Sequence, residues 1–233
     1  MRFTALPRSC APTGLIILFS IVTAALWADE PKYRNPNPAF KLLPPEEEAR
    51  LAPIKLGKPP AFSSDELKKI QAGDVVVRKL AETGDRRRYE AIGKVDLPPK
   101  AVMAFMRDYS LRVGVMPHNE KVHAEWQGNM AVVDMTLKVG LSRVSYRQNI
   151  LHYLDSYMEW EYVHGDLKHT AGYYKFFPYS EGRKTLVVYN VETDPGLPLP
   201  GFLLDLLTKS SMPDVIRAIR KGAALKQGQA NSN

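Results

Sequence analysis

In "NMAVVDMTLKVGL", residues 129–141, Ala131, Val133, Met135, Leu137 and Val139 fall on one side of an extended chain, while Met130, Asp134 and Lys138 fall on the other with Val132 and Thr136. A period of two sustained over this length predicts a strand with one dry face and one largely wet face. The pattern recurs before it in "KVHAEWQ" and after it in "RVSYRQNILHYLD", "YMEWEYVHGD", "TAGYYKFFPYSEG" and "RKTLVVYNVETD". The punctuation between these runs ("QGN", "LDSY", "HGDLKH", "SEGRK") is short, so six antiparallel neighbours are expected. A sheet with one apolar face has to bury it, and "LPGFLLDLLTKSSMPDVIRAIRKGA" (199–223) is the obvious cover. Asp205 and Lys209 interrupt its apolar run, which is well short of the roughly 20 residues a membrane span requires. Pro213 removes a helical donor and opposes the preceding turn. Two helical pieces or one kinked helix are therefore expected, with Leu203, Leu206, Leu207, Val215, Ile216 and Ile219 offered to the sheet.

Working outward toward the N-terminus, "DVVVRKL" and "RRYEAIGKVD", joined by "AETGD", predict a hairpin. In "LPPKAVMAFMRDYS" Pro98 and Pro99 suit a first helical turn, with Asp96 as cap and Val102, Met106 and Tyr109 on one face. "SSDELKKIQAG" (63–73) predicts a short helix capped by Ser63 or Ser64 and stopped at Gly73. Eight of the 18 prolines fall between Pro31 and Pro60, so residues 29–62 are expected to be an extended arm that wraps or tethers, with a turn or two of helix in "PPEEEARLA". Ahead of it, Arg2 and Arg8 precede the uncharged run Leu15–Ala28, about 21 Å as a helix against a hydrocarbon core of about 30 Å. Residues 1–28 are therefore expected to be a cleaved signal peptide, the alternative being an uncleaved inner-membrane anchor. The domain is expected over 63–225, with a disordered tail from 226 to 233.

Composition narrows the function classes. Hydrophobic content of 45% and charged content of 24% fit one globular domain. Without Arg2 and Arg8, 30 basic residues face 25 acidic ones, and the runs "DRRRYE" (85–90) and "IRAIRKG" (216–222) are either solvated faces or transient contacts with an anionic membrane surface. The export signal and the lack of any recognition pattern argue against nucleic acid as a partner. Cys10 lies ahead of the apolar leader, so a mature chain has no thiol chemistry and no disulfide. The five histidines form no metal-spaced pair and are expected in exposed turns and strands. No nucleophile elbow, phosphate-binding loop or dinucleotide motif occurs, and neither a cofactor nor a metal is expected. Glu159 and Glu161 share one side of a strand, opposite Trp160 and Tyr162, and are expected to face solvent.

The richer signal is apolar. Met103, Met106, Val133, Met135, Trp160, Tyr162, Tyr174, Phe176 and Tyr189 stand at positions that either line a cavity or fill a core, since methionine adapts to irregular shapes and tyrosine carries a polar tip. Tyr146 and Arg147 have opposite parity, and Tyr146 is expected inside.

"VDLPPKAVMAFMRDY" leading to "MP", "GYYKFFP" followed by "EGRKTLVVYNVETDPG", and the tail "LPGFLLDLLTKSSMPDVIRAIRKGA" together resemble the START-like, Bet v 1-type (SRPBCC) superfamily. Its bacterial members are described as polyketide-cyclase-like or coenzyme-Q-binding START proteins. The resemblance spans roughly residues 74–224. It implies an α+β helix-grip fold, in which a curved antiparallel sheet wraps a long C-terminal helix around an apolar cavity. It also implies a hydrophobic guest such as a lipid or quinone, lined by the residues above with Tyr146, Leu203 and Leu207. The expected function is an exported, non-enzymatic carrier of a bacterial periplasm; the alternatives are a cyclase or dehydratase using the same cavity, and an envelope interaction module.

Overall fold

The structure, a computed structural model, describes residues 33–34, 41–196 and 201–232, with side chains over 41–196 and 211–232. The segment 1–28 and the side chains of Leu203, Leu206 and Leu207 lie outside the described residues. In chain order the elements are β1 (Tyr33–Arg34), α1 (Pro45–Leu56), α2 (Ser64–Ala72), β2 (Val76–Thr83), β3 (Arg86–Val95), α3 (Pro99–Arg107), a 3-10 turn (Tyr109–Arg112), β4 (Asn119–Gln127), β5 (Met130–Val139), β6 (Ser142–Tyr153), β7 (Tyr157–Gly165), β8 (His169–Tyr179), β9 (Lys184–Asp194) and α4 (Gly201–Asn231).

Strands β4 to β9 pair in sequence as an antiparallel meander, and the β2–β3 hairpin joins its far end through β3–β9, giving the order β2-β3-β9-β8-β7-β6-β5-β4. The sheet is curved and open. Its concave side buries Ala131 and Val133 of β5, Ile150 of β6, Trp160 of β7, Phe176 of β8 and Val187 of β9 in one core with Met212, Ile216 and Ile219 of α4. These α4 positions, continued by Ala223, recur every three or four residues and so form one stripe.

Pro213 does not divide that helix, because α4 is continuous from Gly201 to Asn231 with the proline inside it. A proline within a helix costs about 3 kcal/mol, and burial of Met212, Val215, Ile216 and Ile219 beside it offsets such a cost. The same helix takes in residues 226–231, where a disordered tail was expected.

Three further expectations give way. Helix α3 starts on Pro98 with no side-chain cap, while Asp96 pairs with Lys184 at 2.7 Å. The proline-rich arm is also more structured than a linker. Its α1 runs for 12 residues and packs on the convex face, where Ala52 meets Leu151, Tyr153 and Tyr157. Beside it α2, capped by Ser63 in a capping box with Glu66 and ended by Gly73 in the left-handed region, places Ile70 against Ile92, Phe177 and Val188. The face expected to be wet is therefore partly covered, and the boundary at residue 62 separates nothing in packing. Lys55 of α1 reaches Glu159 at 2.8 Å, and the Tyr153 and Tyr157 hydroxyls donate to the same carboxylate. Glu159 is thus partly buried and Glu161 buried, which corrects their assignment to solvent. Their side of the strand is as expected. What was not visible is the layer laid over it.

Helix α3 lies on α4 at Gly222, where an added Cβ would stand 2.2 Å from the Phe105 ring. Phe105 is fully buried and has no room to yield. Gly222→Ala is expected to destabilise the protein by about 1–3 kcal/mol in chemical denaturation, with part of the loss recovered when Phe105→Leu is added. An unchanged midpoint would mean that the two helices can separate at no cost.

Candidate functional site

The concave wall is built from cross-strand neighbours. Trp160 on β7 sits opposite Gly172 on β8, where a Cβ would fall 2.5 Å from the indole, so glycine there lets the ring lie across the sheet. Tyr174 pairs with Tyr189 across β8 and β9, their rings stacked at 4.6 Å, and Trp160 stands 5.4 Å from Tyr174 and 6.0 Å from Tyr189. Phe176 continues the row at 6.2 Å from Tyr174. Such tilted and offset arrangements are those that aromatic quadrupoles favour. Met103, Met106, Val133 and Met135 belong to the same core.

Tyr146 also faces this interior, whereas Arg147 lies on the other side and clasps Asp134 through two hydrogen bonds of 2.8 and 2.6 Å. Tyr162 is buried, but stands apart from the main concave core, with its hydroxyl donating to the Gly165 carbonyl at 2.9 Å. The structure thus gathers Met103, Met106, Val133, Met135, Tyr146, Trp160, Tyr174, Phe176 and Tyr189 around one interior and leaves Tyr162 at its margin.

Tyr146 and Tyr189 have an unusual environment. Protein surrounds both closely enough that burial raises their hydroxyl pKa values above the ordinary 10.0. Each nevertheless keeps accessible surface, unlike Phe176 and Val187 nearby. Burial likewise raises Tyr174 to about 12. All three hydroxyls therefore stay protonated at neutral pH and act as neutral hydrogen-bond donors and acceptors.

Sequence reasoning missed a second polar group. His152, expected to be exposed, is 0% exposed on β6, with Nε2 2.9 Å from the Tyr109 hydroxyl and Nδ1 unpartnered. The Trp126 ring lies 4.8 Å from its imidazole. Beside them is Arg112, 5% exposed, with its guanidinium carbon 4.2 Å over the Tyr109 ring and Nη2 donating to the Met106 carbonyl at 2.6 Å. A surface cleft of about 540 Å³ runs up to this cluster between α3, β4 and the C-terminal part of α4, lined by Arg107, Tyr109, His123, Trp126 and Lys226 among others. Parity along β6 places His152 with Ile150, so that signal was available. Nothing in the local sequence marks Arg112.

The basic runs are engaged internally. Arg86 meets Glu192, Arg87 meets Glu82, Arg88 donates to Asn190, Arg217 meets Asp214 and Arg220 donates to the Lys94 carbonyl. His169 lies 3.3 Å from Glu192. Among the described residues no helix is long and apolar enough to cross a membrane, and no group of three metal-ligating side chains comes together.

A family model for polyketide cyclase / dehydrase and lipid transport matches residues 95–220. No curated protein matches in sequence. Among solved structures, a STAR-related lipid transfer protein from Xanthomonas axonopodis aligns with a TM-score of 0.55 at 13% identity, over 64% of this chain and 93% of that one. A protein from Thermus thermophilus aligns at 0.52 and 18%, over 61% and 98%. The Zhui aromatase/cyclase from a Streptomyces species aligns at 0.52 and 15%, over 60% and 94%. At these identities the likeness is one of fold.

His152 carries a pH signature. Burial first, then the charges of Arg112 and Arg107, hold its pKa well below the ordinary 6.5. The unfolded chain gains a proton below about pH 6.5 that the folded chain refuses. Stability is therefore complete above that pH and falls below it by up to about 1.4 kcal/mol per pH unit. Thermal midpoints recorded from pH 7 to pH 5, above the range where carboxylates titrate, should decline in the wild type and decline less in His152→Gln. Equal slopes would show that His152 is not the group responsible.

Proposed function

Because the chain belongs to the polyketide cyclase / dehydrase and lipid transport family, we propose that it holds a hydrophobic small molecule, a lipid, quinone or similar compound, between the concave face and α4, as a carrier and not as an enzyme. One observation carries this reading: Tyr146 and Tyr189 are walled in by protein yet keep accessible surface, as side chains do when they line a space instead of filling it. Wall chemistry supports it too. Flat aromatic rings and methionines accept apolar guests of irregular shape, and protonated tyrosine hydroxyls supply polar contacts within the same wall.

Our reading places the mature protein outside the cytoplasm, beginning near Asp29, with a bacterial periplasm as its compartment. Its excess of basic residues favours transient contact with anionic membranes, where a guest would be loaded or delivered. A second reading is favoured by the buried Tyr109–His152 hydrogen bond. A neutral imidazole with a free Nδ1 can act as a general base, as a cyclase or dehydratase would require.

Organic extraction of the purified full-length product, followed by mass spectrometry, is expected to yield a stoichiometric apolar compound, and N-terminal sequencing of the envelope fraction a start near Asp29. Protein that is repeatedly empty and takes up no lipid or quinone would refute the carrier reading. Turnover of a co-purified compound that is abolished in His152→Gln without loss of binding would replace it with the enzymatic one.

A further inference from the structure

Arg112 is a buried cation with no matching anion among the described residues, where the buried acids are Glu90, Glu161 and Asp194. Glu90 lies with Arg78, Asp194 with Lys168, and Glu161 on the strand side opposite Trp160. The acid nearest in sequence, Asp108, is turned away: it accepts from the Leu111 amide and holds Lys226 at 2.7 Å. Among the described residues the Arg112 side chain makes one hydrogen bond, to the Met106 carbonyl, and its Nε is buried without a partner.

Capping the C-terminus of α3 is the simplest alternative role, since Met106 belongs to its last turn. A cap uses one of five guanidinium donors and works equally well from the surface. It does not account for burying the charge, which is unfavourable unless the charge is paired. The position of the guanidinium is informative. It packs on Tyr109 within the concave core, and its charge reaches the interior hydroxyls of Tyr146 and Tyr174, where it opposes the effect of burial on both.

We infer that Arg112 is the anion receptor of this interior, and that the guest is an amphiphile with a single carboxylate head and an apolar tail along the Trp160–Tyr174 wall. One guanidinium neutralises one such head and offers it paired N–H donors, while the neutral tyrosines add hydrogen bonds without further charge. This rests on the carrier reading and narrows it from hydrophobic molecules in general to monoanionic amphiphiles.

The test uses the full-length protein and three probes of equal chain length: palmitate, methyl palmitate and hexadecanol, titrated by calorimetry. Wild type should bind palmitate about tenfold or more tightly than either neutral probe. Arg112→Met should lose that preference while keeping its affinity for methyl palmitate. Arg112→Lys should keep part of it, and excess acetate should not compete. Removing an unpaired buried charge should leave the thermal midpoint of Arg112→Met at or above that of wild type, and Arg112→Gln serves as a second neutral variant. Equal binding of acid and ester by wild type, or unchanged palmitate affinity in the neutral variants, overturns anion recognition while the carrier reading stands. Competition by acetate would mark a small-anion site and overturn the amphiphile. Failure to bind any of the three probes overturns the carboxylate amphiphile, while the carrier reading is decided by extraction and by uptake of other lipids and quinones.

Discussion

Eight strands spaced about 4.8 Å apart span roughly 34 Å edge to edge, whereas a helix with its side chains is about 10 Å across. A flat sheet of this width would leave most of one apolar face in water, whatever the composition of the helix laid on it. Curvature resolves the mismatch by gathering residues of β3 and β5 into one core with the α4 stripe, and α3 with the 3-10 turn fills part of what remains. The interior follows from the same constraint. A rod gripped by a trough touches it along a line, and the wall away from that line is met by something else.

How much of this could be read in advance depends on whether the controlling interaction is local. Alternation in residues 129–141 set the face of Ala131 and Val133 correctly, because parity along a strand is a property of the backbone. The Ser63 cap and the Gly73 stop were legible for the same reason: each is complete within a few residues. Helix α1 was largely missed. Its sequence is rich in proline and charge, and it is held by contacts more than 100 residues away, such as Lys55 to Glu159. Pro213 misled in the opposite direction, since a strong local preference was overridden by the burial of its neighbours. Within the site, the aromatic wall was visible as shared parity. Arg112 was not, because its burial is decided by where the turn after α3 lands, and no periodicity encodes that.

Polar groups inside the concave face are unevenly distributed. Trp160, Tyr174, Tyr189 and Phe176 form a continuous aromatic row across β7 to β9, whereas Arg112, Tyr109 and His152 cluster where the 3-10 turn meets β6. The interior therefore has an apolar length and a polar pole. An elongated guest entering such a space has one orientation that satisfies both, and the reverse orientation would set its tail against an unpaired guanidinium. Orientation here is a matter of desolvation and needs no close shape match.

Tryptophan placement gives the protein an optical asymmetry. Trp160 is enclosed in the aromatic row, with its indole N–H directed at Thr170, while Trp126 is 44% exposed beside His152. Among the described residues these two indoles are the whole tryptophan complement. One emits from a dry wall and the other from a wet rim, so their spectra differ in wavelength and in access to aqueous quenchers. An event inside the grip and an event at its mouth would thus leave separable fluorescence signals without any label being introduced.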